Sequence, residues 1–434
     1  MKKEFVHRIE SILPTSLVKL YRKLKRWYII NISLFRNKRN LRRLAGKDIY
    51  NVLFFIEKSS LWKYNALYGL MEQSKHFNPI IIVCPNITLP KDEMIRTMLA
   101  TFNELNKDRY HVIKGYDEAR QMYINVRDLD PHIIFFTSAW EGYVDKRFHI
   151  SQYTDVLTCY MNYGWATTPF EWSFVTNVSL RVWRYWLECK DYNRILKQWT
   201  PAKNAIVTGA PMYEVFINIV ATGKDWKIRD SKLKRVIYAP HHSIPEVADG
   251  ILALSTFLIH YETMLDIAEQ YKDKIQFVFK PHPLLLNHLY LHSEWGREKA
   301  DAYYDKWKSG ETTNFVNGGY IDLFKTSDAI IHDCSSFTIE YLYTKKPALF
   351  LSNIGHEGQA NKVALRAYDA HYKAKTKEEI CNFLDNVVLK GNDPKRLERE
   401  SFYNDVLLPP NGRTASKNIL HEISKSLKIH EDSI

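Results

Sequence analysis

The sequence predicts an α/β protein of two domains, each built on a doubly wound parallel sheet. The length of 434 residues exceeds what one hydrophobic core usually supports. From Ile49 onward, short runs rich in β-branched and aromatic residues alternate with helical patterns, and this alternation is typical of parallel βαβ units. A polar stretch at 222–234 interrupts the alternation and is typical of a domain linker.

The N-terminal half contains six apolar runs of strand length, with helical patterns at 62–73 and 91–105. A further stretch, 180–199, is rich in Trp, Tyr and Arg. It predicts a long helix whose aromatic face packs in the core, and the alternative is a binding surface. The predicted strands are 51–56, 79–84, 111–114, 132–137, 156–160 and 205–208.

The C-terminal half repeats this pattern and places polar residues after three strands. Ligands bind open α/β sheets at the carboxyl ends of the strands, so these polar residues predict a ligand site. Helices are expected at 251–268 and 320–326, and another strand at 314–316. The three polar turns are Pro240-His241-His242-Ser243 after strand 235–239, Lys280-Pro281-His282-Pro283 after strand 276–279, and 332–336 after the run 329–331.

The segment 328–352 compresses a strand, a polar turn, a helix and a second strand into one short unit. Ser335 and Ser336 fall where the helix begins, so their hydroxyls and the first free N–H groups favour an anion such as phosphate. The alternative is an ordinary serine N-cap. Asp333 is expected either to orient this site or to have only a structural role. Glu340, one helical turn further, either reaches a ribose hydroxyl or points to solvent.

The net positive charge of the chain is confined to residues 1–47. This segment has fourteen Lys/Arg and two acidic residues, and 14 − 2 = +12 equals the net charge of the whole chain. Its apolar residues are interleaved with the basic ones at helical spacing, which favours an amphipathic helix on an anionic membrane. The alternatives are a helix packed on the protein with a solvated basic face, and a nucleic-acid contact that the neutral remainder of the chain argues against.

The rest of the sequence favours a cytoplasmic protein bound peripherally to the inner face of the membrane. The best apolar run, 27–35, is far shorter than the roughly 18 to 20 residues that a spanning helix needs. No signal peptide is expected. The five cysteines are scattered and never form a C-x-x-C pair, which favours a reducing compartment and argues against a thiolate metal site.

Four motifs of the C-terminal half carry a resemblance: Tyr-Ala-Pro at 238–240, Lys-Pro-His-Pro at 280–283, Ser-Asp and His-Asp-Cys-Ser-Ser within 327–336, and Lys-Pro-Ala-Leu-Phe at 346–350. Their order resembles that of the CDP-glycerol glycerophosphotransferase family, whose members build teichoic acids and related capsular polymers. The resemblance implies the GT-B architecture, in which two Rossmann-like domains face each other across a cleft and the C-terminal one holds the nucleotide. Gly209, within Thr-Gly-Ala-Pro, is similar to the family's Gly-x-Pro turn.

The resemblance also implies roles for individual residues. His282 is expected to present its imidazole to the donor diphosphate, and the alternative is a rigid Pro-His-Pro turn with a surface histidine. His241 and His242 are further catalytic candidates, of which only one would face the cleft. The residues expected to bind the donor are Ser335, Ser336, Asp333, Lys280, Glu340, Pro240, Ser243 and Gly209.

One position departs from the family pattern. The family commonly has a His-Gly pair after a strand of the N-terminal domain, where the histidine activates the acceptor hydroxyl. Here Tyr163 precedes Gly164. An unperturbed tyrosine has a pKa near 10 and is a poor general base at neutral pH. Either another group, such as His241, His242 or Glu141, takes the proton, or the acceptor or the activity differs.

We therefore expect a transferase that moves glycerol phosphate, or a related polyol phosphate, from a CDP-activated donor to a lipid-linked or polymeric acceptor. The alternatives are a GT-B glycosyltransferase using a nucleotide sugar for capsule or lipopolysaccharide synthesis, and a non-catalytic nucleotide-binding membrane scaffold. No metal, no cofactor and no nucleic-acid partner are expected, and the oligomeric state stays open. The predicted divisions are a basic arm (1–47), an acceptor domain (48–228), a donor domain (229–390) and a helical segment (391–434) for which packing on the acceptor domain is one option.

Overall fold

The computed structural model describes residues 14–108, 110–218, 220–229, 232–247, 255–352 and 357–429. The chain forms two compact units. Unit 1 comprises Met1–Gly164, Phe170–Met212 and Pro409–Ile434, and unit 2 comprises Trp165–Pro169 and Tyr213–Leu408. The first 13 residues of the predicted arm and part of the predicted helix 251–268 lie outside the described residues.

The change from unit 1 to unit 2 occurs after Met212, not at the polar stretch 222–234. Within that stretch Trp226 is 2% exposed, and its indole N–H donates to Thr326 Oγ1 at 2.8 Å. The described part of the stretch is therefore anchored to unit 2 by one buried aromatic side chain. The polar composition reflects a surface loop rather than a domain boundary.

Unit 1 contains a seven-stranded sheet in the order β3-β2-β1-β6-β7-β8-β9, and all neighbouring strands in it are parallel. The order reverses direction between β1 and β6, as in a doubly wound fold. The elements are α1 (Thr15–Leu44), β1 (Tyr50–Ile56), α2 (Asn65–Gln73), β2 (Phe77–Val83), α3 (Lys91–Lys107), β3 (Val112–Lys114), the hairpin β4 (Tyr116–Asp117) and β5 (Met122–Tyr123), β6 (Ile133–Phe136), β7 (Leu157–Tyr160), α4 (Asn177–Arg181), β8 (Arg184–Leu187), α5 (Lys190–Leu196) and β9 (Ala205–Val207).

The prediction of one long helix at 180–199 is wrong. The segment contains the end of α4, strand β8 and helix α5. Trp183, Tyr185 and Trp186 are each at most 1% exposed. Because β8 lies inside the sheet and is covered on both faces, its sequence shows no alternation of apolar and polar residues, and this alternation is the usual signal for a strand.

Helix α1 lies along unit 1 with one face buried and another exposed. Val18, Ile30 and Asn37 are among its buried residues. The Arg26 guanidinium pairs with the Glu171 carboxylate, which fixes the helix beside the loop after β7. No helix in the described part of the chain is both long and apolar enough to cross a membrane. The large apolar side chains that α1 exposes are Leu17, Leu20, Tyr21, Leu24, Trp27, Tyr28 and Phe35.

Unit 2 contains a six-stranded parallel sheet in the order β12-β11-β10-β13-β14-β15, which reverses direction between β10 and β13. The elements are α6 (Val215–Asn218), β10 (Lys234–Ala239), α7 (Phe257–Gln270), β11 (Ile275–Phe279), α8 (Leu285–Leu291), α9 (Gly296–Ser309), β12 (Thr313–Phe315), α10 (Ile321–Thr326), β13 (Ala329–His332), α11 (Phe337–Glu340), β14 (Ala348–Leu351), α12 (Lys362–Asp369), β15 (Tyr372–Ala374), α13 (Lys377–Asn382) and α14 (Arg396–Phe402).

The last helix, α15 (Ala415–Leu427), belongs to unit 1, whereas residues 391–408 belong to unit 2. Ile419 and Ile423 of this helix are fully buried in the hydrophobic core of unit 1. Asn418 donates its side-chain amide to the carbonyl oxygen of Thr208 at 3.1 Å. The chain therefore returns to its first unit at Pro409.

Candidate functional site

The three polar turns of unit 2 leave the same edge of its sheet. Strands β11, β10 and β13 are adjacent and parallel, and Ala239 pairs with His332 while Tyr238 pairs with Phe279. The turns that follow these pairs therefore start at the same level. The sheet reverses direction between β10 and β13, and in open α/β sheets the crevice at such a point is where ligands bind.

A cluster of histidines occupies this edge. The ring centroids of His241 and His242 are 4.2 Å apart, those of His242 and His282 are 4.2 Å apart, and those of His241 and His282 are 5.2 Å apart. His288 from α8 is a fourth member, 5.0 Å from the ring of His242. The sequence analysis missed His288 because nothing in its local pattern distinguishes it from other residues of α8. Both adjacent histidines belong to the cluster, although only one was expected to face the site.

Hydrogen bonds hold the rings in place. The backbone N–H of His282 donates to the carbonyl oxygen of Pro240 at 3.0 Å, which joins two of the turns. His282 Nδ1 accepts from the Leu284 N–H at 3.2 Å, so a neutral His282 carries its proton on Nε2. His241 Nδ1 lies 2.7 Å from Ser243 Oγ, which places Ser243 as a support for the first ring.

Burial keeps His282 and His242 of this cluster neutral. It lowers the pKa of His282 to about 3, with the neighbouring His242 and Lys280 adding to the effect. Burial also lowers the pKa of His242 to about 4, with a contribution from His288. Lys280 is 4% exposed, and burial lowers its pKa as well. His282 and His242 therefore offer two imidazole rings that carry little charge at neutral pH, beside the buried Lys280.

Asp333 ties the turn after β10 to the start of α7. This residue is 1% exposed. Its Oδ1 accepts from the His241 N–H at 2.5 Å, and its Oδ2 accepts from the Thr256 N–H at 2.5 Å and from Thr256 Oγ1 at 2.9 Å. Ser255 Oγ also donates to Oδ2, at 3.2 Å. The carboxylate therefore orients the histidine turn, and no local pattern indicated Ser255 or Thr256 as its partners.

The serine turn after β13 differs from the expected helix start. Helix α11 has only four residues before it continues as a 3-10 turn, and the Ser336 side chain makes no capping hydrogen bond. Ser335 and Ser336 are half-buried, so their hydroxyls remain partly accessible. Glu340 does not point to solvent: it is 5% exposed and accepts a hydrogen bond from the Tyr320 hydroxyl at 2.5 Å. Helix α11 attracts an anion less strongly than a longer helix would, because only a few peptide dipoles are aligned along it.

Three other predicted residues lie in unit 1. Gly209 follows β9 with a φ of +87°, and a Cβ there would lie 2.7 Å from Pro409 Cβ, so packing inside unit 1 explains the glycine. Tyr163 follows β7 and is 45% exposed. Both carboxylate oxygens of Glu141 are engaged, with the Ile150 N–H at 2.8 Å and the Asn177 side-chain amide at 2.6 Å. Glu141 therefore serves a structural role, which weakens it as a candidate base.

The histidine cluster has the spacing that a metal ion would also need. One ring nitrogen from each of His241, His242 and His282 lies within 4.8 Å of the others, in the only such group among the residues that the structure describes. No metal was expected from the sequence. The three rings instead converge from two turns on neighbouring strands, an arrangement that linear spacing does not reveal.

Two doubly wound parallel sheets, one of them with imidazole and lysine side chains at its switch point, are the architecture of the GT-B class. Solved structures support this fold. A variant of the wall teichoic acid polymerase TagF has a TM-score of 0.56 at 14% identity, over 95% of this chain and 98% of that one. MnaA from S. aureus, solved with UDP, has a TM-score of 0.54 at 14% identity, over 88% and 98%. UDP-GlcNAc 2-epimerase from Neisseria meningitidis has a TM-score of 0.52 at 14% identity, over 87% and 99%.

The sequence itself identifies the family. Residues 182–423 match the family described as CDP-glycerol:poly(glycerophosphate) glycerophosphotransferase, and the chain belongs to this family. No curated protein sequence matches the chain. The predicted family, GT-B fold and enzyme class are confirmed, and the chain is a transferase of polyol phosphate from a CDP-activated donor.

Proposed function

We propose that this protein transfers glycerol phosphate from CDP-glycerol to the end of a polyol-phosphate polymer at an anionic membrane surface. The observation that carries the donor assignment is the cluster of His241, His242 and His282 beside Lys280, at the switch point of unit 2. The family match supports the glycerol phosphate. A relative with this fold, TagF, was solved after soaking with CDPG, at 14% identity and a TM-score of 0.51.

The chemistry of the cluster suits a diphosphate. The reaction is an attack by an acceptor hydroxyl on the β-phosphorus, with CMP leaving, and such transfers depend mainly on positioning and on stabilising charge. Imidazoles that are neutral in the free protein can take up protons when a dianion arrives, because its charge favours the imidazolium form. His282 and His242 would then neutralise the departing phosphate without the cost of burying cations beforehand.

A donor panel tests this assignment. The protein is incubated with CDP-glycerol, CDP-ribitol, a CMP-sugar and a UDP-sugar, with a short poly(glycerol phosphate) acceptor present, and the released nucleotide is measured. We expect CMP release that depends on acceptor with CDP-glycerol. Release from a nucleotide sugar alone would identify a glycosyltransferase, and binding of CDP-glycerol without any release would identify a scaffold.

A histidine variant tests the site itself. We expect His282→Gln to lower kcat by about 100-fold or more, because removing one group that stabilises transition-state charge has effects of that order. The matched control is His292→Gln, since His292 is also buried at 5% exposure but lies beside Glu246, away from the predicted motifs. Equal loss of activity in both variants would count against a specific role for His282.

We propose further that α1 holds the protein on the membrane. The helix contains ten Lys/Arg and no acidic residue. Leu17, Leu20, Leu24 and Trp27 are each 50 to 57% exposed and lie along one side at helical spacing. A basic helix with such an apolar stripe fits the interface of an anionic bilayer, where the apolar side chains enter the acyl boundary and the basic ones remain at the headgroups.

Point variants test membrane binding more sharply than deletion, because α1 is joined to unit 1 through Arg26 and Glu171. We expect Leu20→Ser with Leu24→Ser to abolish sedimentation with vesicles of phosphatidylglycerol and phosphatidylcholine, and salt to weaken binding of the unaltered protein. Leu397→Ser is the control, since Leu397 is 73% exposed elsewhere on the chain. Unchanged sedimentation of the double variant would contradict the proposal.

A further inference from the structure

The sheet of unit 1 has a switch point of its own, between β1 and β6. Strands β2 and β3 lie on one side of this pair, and β7, β8 and β9 lie on the other. In open α/β sheets, ligands bind in the crevice outside the carboxyl ends of the strands at such a point. The residues that directly follow β1 and β6 are therefore the candidates for ligand binding by unit 1.

Glu57 and Ser138 lie opposite each other at this switch point. Phe55 of β1 pairs with Phe136 of β6 in parallel register, and Glu57 and Ser138 each follow two residues later. The Ser138 hydroxyl donates to the Glu57 carboxylate. The two turns are therefore joined by a side-chain hydrogen bond just beyond the ends of their strands.

The Glu57 carboxyl group is partly removed from water but is not sealed in the core, since the residue is half-buried. Burial raises its pKa, whereas the bond from Ser138 and the charge of the neighbouring Lys58 lower it. A carboxylate has two oxygens with about four lone-pair sites, so it can accept from a ligand hydroxyl in addition to Ser138. A phosphate at this position would instead be repelled by the carboxylate.

The turn that carries Ser138 also presents an aromatic surface. Ser138 Oγ accepts from the backbone N–H of Trp140 at 3.2 Å. Trp140 is 40% exposed and Trp172 is 52% exposed, and their ring centroids are 6.2 Å apart. Phe170 stacks on Trp172 at 5.7 Å, and two hydrogen bonds to the Glu141 carboxylate fix the turn beside Trp140. The indole rings are therefore held by the fold although much of their area is exposed.

A carboxylate beside exposed indole rings suits a neutral compound that carries hydroxyl groups. Ligand sites commonly combine aromatic side chains, which cover carbon atoms, with a few polar groups that fix orientation. A quaternary ammonium ion is the alternative that indole rings favour. Two observations argue against it: Lys58 already supplies a positive charge beside Glu57, and the two indoles lie against each other rather than on opposite sides of a gap.

We propose that Glu57 and Trp140 bind the hydroxyl-bearing end of the acceptor at the switch point of unit 1. This inference rests on the proposed glycerol-phosphate transfer, which requires an acceptor hydroxyl. Glu57 accepts a hydrogen bond from the hydroxyl, Ser138 positions the carboxylate, and Trp140 with Trp172 packs against the carbon atoms. The hydroxyls belong either to a polyol or to a sugar at the end of the acceptor. In a polyol phosphate, the exposed ammonium group of Lys58 can pair with the phosphate that follows.

Titration calorimetry without donor tests the site, with a short poly(glycerol phosphate), methyl glucopyranoside and choline as separate probes. We expect Glu57→Ala and Trp140→Ala each to raise the Kd of the probe that binds by about tenfold or more, because each removes one contact to it. Glu57→Gln and Trp140→Phe should have smaller effects, since they keep an acceptor oxygen and an aromatic ring. Lys58→Gln should weaken binding of the poly(glycerol phosphate) only. In transfer assays the KM for acceptor should rise in parallel, while the Kd for CDP-glycerol stays unchanged.

The control is Glu118→Gln, because Glu118 pairs with Lys114 at 2.5 Å beyond the end of β3, away from the switch point. Binding of the polymer alone identifies a polyol end, and binding of the glycoside identifies a sugar end. The inference is overturned if neither probe binds, if choline binds more tightly than both, or if Glu118→Gln weakens binding as much as Glu57→Ala does. Acceptor binding with no CMP release from any CDP-polyol would instead overturn the proposed function.

Discussion

Replacing Asp333 by Asn should weaken the hydrogen bonds that position the turn with His241, while strand β13 stays in place. The carboxylate accepts from two backbone N–H groups, of His241 and Thr256, one on each oxygen. An amide has only one oxygen, so in either orientation its NH₂ group faces one of these donors. The variant loses at least one charge-assisted bond and gains a donor–donor contact in a site that is 1% exposed.

The magnitude follows from the bonds lost. Hydrogen bonds to charged groups contribute about 1.5 to 3 kcal/mol each, and an unpaired buried donor costs a further 1 to 3 kcal/mol. We therefore expect Asp333→Asn to lower the stability of unit 2 by about 3 kcal/mol. For a folding unit of about 200 residues this corresponds to a fall of about 6 to 12 °C in Tm. Because the His241 turn loses its anchor, the Kd for CDP-glycerol should rise about tenfold or more.

Scanning calorimetry and titration calorimetry measure the two effects, and Asp328→Asn is the control. Asp328 lies at the opposite end of β13, where its Oδ2 accepts from the Arg235 N–H at 2.8 Å. We expect this control to lower Tm while leaving the Kd for donor within about twofold. If Asp333→Asn also leaves the Kd unchanged at a temperature where it is folded, the assignment of Asp333 as the organiser of the donor turn is refuted.

Three further predictions concern the histidines. Donor binding should be accompanied by proton uptake between pH 5 and 7.5, because the diphosphate raises the pKa of His282 and His242 from about 3 and 4. Titration calorimetry in buffers of different ionisation enthalpy measures this uptake. A binding enthalpy that does not depend on the buffer would contradict the prediction. The free energy of unfolding should fall as the pH drops below 6.5. The reason is that histidines of the unfolded state take up protons there, whereas burial lowers the pKa of His371 in the folded state to about 3. Urea titrations that give the same stability at pH 5 and pH 7 would disprove this. Transfer should survive dialysis against a chelator. Added Zn²⁺ should inhibit transfer in competition with the donor, because the ion would occupy the histidine cluster. Loss of activity on dialysis that Zn²⁺ or Mg²⁺ restores would show a metal-dependent reaction.

Local signals in the sequence located the turns of the candidate donor site because each turn directly follows a strand. The turns with His241, His282 and Ser335 each follow an apolar run that forms a strand, and parallel pairing brings them to one edge of the sheet. The partners that fix these turns are distant in sequence. Thr256 and His288 meet the site through the packing of α7 and α8, and no spacing rule links them to it.

Strands and acids that are buried on all sides were harder to predict. β8 has no alternating pattern because both faces are covered, so it was taken as part of a helix. Glu188 follows that missed strand, and without the strand it has no predicted position at the edge of the sheet. The error in secondary structure therefore also hid the burial of this carboxyl group, which is 1% exposed.

Helix α1 exposes an apolar stripe in addition to its buried face, and this stripe is the strongest argument for the proposed membrane partner. Such helices normally turn apolar residues toward the protein and polar residues toward water. In α1 the buried side includes Ser33, Asn37 and Asn40 at 5 to 8% exposure, whereas Leu24 and Trp27 are more than half exposed. A nucleic acid would bind the basic residues and leave this apolar stripe in water. An anionic bilayer, as proposed above, would bind the basic residues and also remove the stripe from water, and it would thereby account for both features of the helix.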